Sequence, residues 1–257
     1  MNQERAMLAV AHGSRDPRHR ETVEAVVAAV RAQRPGLRVE AAFLDHCGPT
    51  TARALHGLVR DGHRHVKVVP LLLNTAFHVR QDIPAAVRAA HEELPRRWRT
   101  GRAAVTEPVL TEPLGPHPLL LAGLERRLRE AGVWPGDEEA AAVLAWAGSS
   151  DQAAVAVVDD LARYWQDSGW RRVVAVPAVG DQAGEAVRSL RRGGARRVVV
   201  APYFLAPGLL ADRIRDSARR AGADAVAAEL GPAPEVAATV LARFDGSVAT
   251  CRLMAAA

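Results

Sequence analysis

Two stretches of this chain carry the same order of residues, and that duplication limits the fold more than any other property. Leu8-Ala9-Val10-Ala11-His12-Gly13-Ser14-Arg15-Asp16 matches Val143-Leu144-Ala145-Trp146-Ala147-Gly148-Ser149-Ser150-Asp151 when the Gly-Ser pairs are superposed, an offset of 148 − 13 = 135. Farther on, Gly62 falls on Gly194 and Pro70 on Pro202 with a shared offset of 132, so a short gap lies between the two matches. A chain of 257 residues has room for one large domain or two ordinary ones, and the repeat decides for two. Gly132-Val133-Trp134-Pro135-Gly136-Asp137-Glu138-Glu139, punctuated by Pro and Gly, reads as the linker. The expected domains are therefore residues 1–134, carrying the chemistry, and residues 135–257.

Within each half, short β-branched runs alternate with longer amphipathic segments. Strands are expected at residues 6–11, 37–44, 65–72 and 103–109, then at 143–147, 172–176, 197–204 and 223–228. Helices are expected at about 17–34, 49–60, 80–94 and 117–131, then at 151–167, 182–192, 208–221 and 233–244. Pro17 and Pro49 sit where a helix's first turn tolerates proline, and Gly36, Gly62 and Gly132 sit just past helix ends. Alternating β and α elements with short connections imply an α/β class: two similar domains, each a mostly parallel sheet flanked by helices.

No stretch approaches the roughly 20 apolar residues that span a bilayer, and the start, Met1-Asn2-Gln3-Glu4-Arg5-Ala6, lacks the apolar core of a signal peptide. Cys47 and Cys251 are far apart and in no CxxC arrangement, which argues against a disulfide framework and for a reducing, cytoplasmic setting. The net charge of +5 suits an acidic partner. Its arginines are scattered along helices without the basic, aromatic patch of a nucleic-acid binder.

Ligands of an open parallel sheet bind beyond the carboxyl ends of its strands. In the first half, His12 ends the first strand, Asp45-His46 ends the second, and His78 follows the third. Two imidazoles and a carboxylate suit a borderline divalent ion such as Fe²⁺, Co²⁺, Ni²⁺ or Zn²⁺. Taken singly, each histidine is as well explained as a surface or core residue. Comparison between the halves changes that balance, because at the matching offsets His12 becomes Ala147, Asp45 becomes Pro177 and His78 becomes Leu210. All nine histidines lie between His12 and His117. The first half therefore carries the reaction. His46, next to Asp45, reads as a supporting group, whereas His19, on a helix, reads as surface. Gly13 permits a tight turn or a close ligand approach, and Ser14 or Asp16 is expected to cap the following helix.

These residues resemble the sirohydrochlorin chelatases, in particular the long, internally duplicated members. The resemblance rests on Ala11-His12-Gly13-Ser14-Arg15-Asp16, on Phe43-Leu44-Asp45 ahead of Pro49, and on Val69-Pro70-Leu71-Leu72-Leu73 with His78-Val79-Arg80 and Asp82-Ile83-Pro84. It implies that His12 and His78 are catalytic and metal-binding. It also implies that Asp45 is a third metal residue, standing where the family often has Glu. Gly13, Ser14, Arg15 and Arg80 are the expected contacts to the macrocycle. The implied reaction is that of a lyase inserting Fe²⁺ or Co²⁺ into sirohydrochlorin, for sirohaem or cobalamin synthesis, with Ni²⁺ a further candidate. The divalent metal is then a substrate and no cofactor is permanently bound. A duplicated chain supplies two lobes by itself, so a monomer is expected, with neither nucleic acid nor membrane as partner. A non-catalytic metal or tetrapyrrole carrier, and a chelatase for another tetrapyrrole or for nickel, stay open at this point. A two-lobed periplasmic-type binding protein fits less well, given the start of the chain and the one-sided histidines.

Overall fold

A computed structural model describes residues 5–74, 77–100 and 104–246, with the side chains of 77–80 excepted. In chain order the first elements are β1 (Arg5–Ala11), α1 (Pro17–Gln33), β2 (Arg38–Phe43), α2 (Thr51–Arg60), β3 (His65–Pro70), α3 (Phe77–Glu92), α4 (Arg96–Arg99) and β4 (Val109–Leu110). There follow α5 (Pro118–Glu130), β5 (Ala140–Trp146), α6 (Gln152–Gln166), β6 (Arg172–Pro177), α7 (Gln182–Arg192), β7 (Arg197–Pro202), α8 (Leu209–Arg220), β8 (Ala225–Val226) and α9 (Pro234–Asp245). The alternation expected from sequence is present. The fourth strand of each half has two residues: Ala225–Val226 falls inside the expected 223–228, whereas Val109–Leu110 meets the expected 103–109 only at Val109, and residues 104–108 are not strand. The short helix α4 was not legible in the periodicity.

The first unit holds a four-stranded sheet in the order β2-β1-β3-β4, every neighbouring pair parallel. Its central strand is apolar on both faces, and Ala6 to Ala11 are all at most 1% exposed, as a strand covered by helices on both sides requires. One face, Ala6, Leu8 and Val10, packs with Leu55, Leu58 and Val59 of α2 and Ile83 and Val87 of α3. Each fully buried Leu here contributes roughly 1.5–3 kcal/mol by leaving water. Asp16 starts α1, its carboxylate accepting the Arg18 N–H at 3.0 Å, and Val23, Val26, Val27 and Val30 form the helix's buried face.

The second unit repeats the plan with the order β6-β5-β7-β8, again all parallel. Its β5 is buried along its whole length. Asp151 caps α6 through the Ala153 N–H at 2.9 Å, the counterpart of Asp16.

The packing units are not simply the two halves of the sequence. Among the described residues, 232–246 group with 5–115, and 116–231 form the other unit. Thus α9 lies along α1, where Gln33 Nε2 donates to the Pro234 carbonyl at 2.9 Å and Arg34 makes a two-pronged pair with Asp245 at 2.6 and 2.7 Å. In the second unit, α5 supplies Arg127, whose guanidinium donates to the Leu230 carbonyl, and Glu125, which accepts from Trp165 Nε1 at 3.2 Å. The division at residue 134 follows the repeat, whereas packing cuts before α5 and sends α9 back to the first sheet.

Candidate metal and macrocycle site

Parallel pairing brings the ends of β1 and β2 side by side and continues past them. The Leu44 N–H donates to the Ala11 carbonyl at 3.1 Å, and the Asp45 N–H to the His12 carbonyl at 3.0 Å. Gly13 then turns away with φ +96°, and a Cβ there would stand 1.9 Å from the Asp45 carbonyl oxygen. Only glycine meets both demands. The expected close approach at Gly13 is thus to the Asp45 backbone of the same unit.

His12 and His46 meet edge to face, with ring centroids 6.3 Å apart and planes at 89°. Both are exposed. His46 has φ +66°, and its N–H donates to Asp45 Oδ1 at 2.6 Å. The other carboxylate oxygen, Oδ2, lies 3.7 Å from His46 Nδ1. His19, in the first turn of α1, is half-buried against Phe43 at 6.3 Å, and its Nδ1 is buried without a hydrogen-bond partner. Burial holds the His19 imidazole below its ordinary pKa, nearby His12 lowers it further, and Asp16 opposes both. His19 was expected on the surface. Its signal was the helical spacing 19, 23, 26, 30, which puts it on the face of the buried valines.

His78 lies at the second position of α3, in the helix that leaves the carboxyl end of β3, and Arg80 follows two residues on; the side chains of both fall outside the described residues. The topology puts them at the same sheet edge as His12 and Asp45. Ser14 Oγ accepts the Asp16 N–H at 3.1 Å, and Ser149 does the same for Asp151 at 3.0 Å. Ser14 is therefore a turn-forming residue in a place where the half lacking histidines has it too. Arg15 is exposed. Among the described residues, no three His, Cys, Asp or Glu side chains converge as a metal cage.

Strand register corrects one correspondence between the halves. Ala11 pairs with Phe43 and Trp146 with Pro177, so Pro177 is the counterpart of Phe43. Asp45 therefore lies past the last paired position, in a loop (residues 44–50) longer than its equivalent (residues 178–181), and has no single counterpart. Val10–Pro70 and Ala145–Pro202 keep the offset of 132 for the third. The contrast survives the correction: Ala147 and Leu210 cannot bind metal, nor can any side chain of Ala178-Val179-Gly180, and Val179 and Leu210 are solvent-exposed. A cavity of about 350 Å³ in the second unit, lined by Arg171, Arg172 and Ser189 among others, lies at the opposite sheet edge, by the start of β6 and the end of α7.

The CbiX family profile matches this chain twice, over residues 6–131 and 141–247. The chain belongs to the CbiX, or sirohydrochlorin chelatase, family. Similar relatives include a sirohydrochlorin ferrochelatase of Priestia megaterium, 27% identical over 86% of this chain and 80% of that protein. A sirohydrochlorin cobaltochelatase of the same organism is 28% identical over 84% of this chain and 69% of its own length. Among solved structures, SirB from Bacillus subtilis with Fe³⁺ superposes with a TM-score of 0.80 at 25% identity, covering 96% of both chains. SirB from Bacillus subtilis subspecies spizizenii in complex with cobalt superposes at 0.75 with 22% identity, covering 94% of both chains, and shows the shared fold. Among the described residues no helix is long and apolar enough to cross a membrane.

Proposed function

We propose that this chain inserts a divalent metal ion, Fe²⁺ or Co²⁺, into sirohydrochlorin, as a monomer in the cytoplasm, with residues 1–134 supplying the metal chemistry. One observation carries the reading: in a chain whose two halves both match the family, only the first presents imidazoles at its strand ends. Insertion exchanges two pyrrole N–H protons for one M²⁺, so the protein must hold the ion without trapping it and accept two protons. Imidazole does both near neutral pH. In this reading His12 and His78 bind the ion and take up the protons, and Asp45 completes the site or orients an imidazole. Gly13, Ser14, Arg15 and Arg80 border the macrocycle, with the two guanidinium groups facing its carboxylates. The relatives' names support sirohydrochlorin as the tetrapyrrole and leave iron and cobalt equally supported.

The test is anaerobic insertion, with sirohydrochlorin offered with Fe²⁺, Co²⁺ or Ni²⁺ separately and followed by absorbance over many turnovers. His12→Ala and His78→Ala are expected to abolish enzymatic insertion while the far-UV circular dichroism stays unchanged. Wild-type rates in both variants refute the site. A single stoichiometric turnover by the native protein refutes catalysis and leaves a carrier.

A further inference from the structure

At the amino ends of their strands the two units match residue by residue. Ala6 pairs with Arg38 and Leu8 with Glu40, as Ala141 does with Arg172 and Val143 with Val174. Arg172 therefore stands for Arg38, and Val174 for Glu40. The ends of α2 and α7 are also the same turn. Asp61, Gly62 and His63 donate their N–H groups to the carbonyls of residues 57, 59 and 58, and Gly193, Gly194 and Ala195 donate theirs to residues 189, 191 and 190. Asp61 thus becomes Gly193, and His63 becomes Ala195.

The first unit fills and neutralises this place. Arg38 pairs with Glu40 at 2.8 Å and with Asp61 at 3.1 Å, and the Nδ1 of His63 is buried. In the second unit both carboxylates and the imidazole are gone. Their replacements, Val174, Gly193 and Ala195, all line the cavity of about 350 Å³, a volume within the roughly 300–1,000 Å³ of ligand pockets. Val176, Ala186 and Leu190 add to its apolar wall. Arg171 and Arg172, both exposed, complete the lining. Among the described residues neither guanidinium has an ion pair or a side-chain hydrogen bond. Arg191, Arg196 and Arg197, at the same end of the sheet, each hold a carboxylate, of Asp224, Glu139 and Asp137. The carbonyls of Ser189, Leu190 and Arg191 already accept N–H groups, which blunts the negative end of α7 toward an anion. The first unit shows that the fold closes this place when nothing enters it.

The geometry points to a binding site in the second unit for a small organic anion, a carboxylate on an apolar body. Arg171 and Arg172 hold the carboxylate, since guanidinium groups match its two oxygens, and the body lies between β6 and α7. The site lies at the amino ends of the strands, whereas the metal chemistry is assigned to carboxyl ends, and it stands whether or not the chain is a chelatase.

The experiment titrates the full chain with phenylbutyrate, with the neutral phenylbutanol and with inorganic phosphate, read by calorimetry and by amide chemical shifts. Phenylbutyrate is expected to saturate and to shift the amides of residues 172–176 and 189–195, with the other two at least about 10-fold weaker. Val174→Glu with Gly193→Asp rebuilds the acid pair of the first unit around Arg172. Gly193 has φ −76° and a Cβ there meets nothing closer than 3.4 Å, so the turn accepts the change. This variant should bind phenylbutyrate about 10-fold or more weakly. Arg171→Gln with Arg172→Gln should lose as much while leaving the cavity open. No saturable binding at about 10 mM phenylbutyrate overturns the inference. So does equal affinity for phenylbutanol or phosphate, or wild-type affinity in the double glutamine variant. Failure of the native protein to metallate sirohydrochlorin overturns only the chelatase reading.

Discussion

Gly13→Ala tests the geometry that mounts the site. The added methyl would sit 1.9 Å from the Asp45 carbonyl oxygen and 3.0 Å from its carbonyl carbon, both backbone atoms. Carbon–oxygen contacts settle near 3.3 Å, so the two loops must part by roughly 1.4 Å. Relieving such an overlap costs about 1–3 kcal/mol, and a left-handed alanine adds about 1–2 kcal/mol. The parting also stretches the Asp45-to-His12 and Leu44-to-Ala11 backbone bonds. A loss of about 2–5 kcal/mol follows, a large share of an ordinary domain's stability. The internal control is Gly148→Ala. Its φ of +85° carries similar strain, but its methyl would meet Pro177 Cβ at 3.0 Å, an overlap of only a few tenths of an ångström. Gly148→Ala is therefore expected to cost about 1–2 kcal/mol. A chain of two packing units need not unfold in one step, so the assay is native-state hydrogen exchange. Amides of β1 to β3 report on the first unit and those of β5 to β7 on the second. β1 amides of Gly13→Ala within about 0.5 kcal/mol of wild type, or an equal cost in Gly148→Ala, would refute this geometry.

Two further outcomes follow from particular pairs. Arg215 donates to Glu229 at 2.5 Å, and the Glu229 side chain is only 6% exposed. Arg215→Met should lose about 3–5 kcal/mol by stranding that carboxylate, and adding Glu229→Met should restore much of it; equal thermal stability of the single and double variants would contradict this. Asp245 is held below the ordinary carboxylate pKa by its hydrogen bonds to Arg34, against some desolvation, with the Arg34 and Lys67 charges assisting. A lowered folded pKa means that the pair's contribution is complete above about pH 4 and is lost as pH falls through the folded value. Both groups are well exposed, so the contribution is under about 1 kcal/mol. Arg34→Ala should flatten this part of the acid limb in thermal melts from pH 5 to pH 2, and an unchanged slope would show that α9 does not depend on the pair.

What the sequence revealed is what backbone sterics and burial write into it. Continuous apolar strands, helix-starting Asp16 and Asp151 and the Gly-Ser turns recur in both halves because both must fold. They gave the parallel sheets, the strand ends and Gly13. Legibility failed where position depends on tertiary packing. The return of α9 to the first sheet is set by its contacts with α1 and leaves no local mark. His19 looked like a surface residue because its neighbours Arg18 and Arg20 are charged, although its helical phase matched the valines.

The second strand shows a different limit. A single offset of 132, taken from Pro70 and Pro202, pairs Asp45 with Pro177, whereas strand register places Phe43 and Pro177 at equivalent positions. A gap of that size is invisible in apolar strands, where a shifted alignment still matches Val with Ala. Past the strands, residues 44–50 and 178–181 differ in length, so the loops have no residue-by-residue match. The contrast between the halves therefore stands on His12 against Ala147 and His78 against Leu210. It is strengthened by Ala178-Val179-Gly180, which offers no side chain able to bind a metal where the first half has Asp45 and His46.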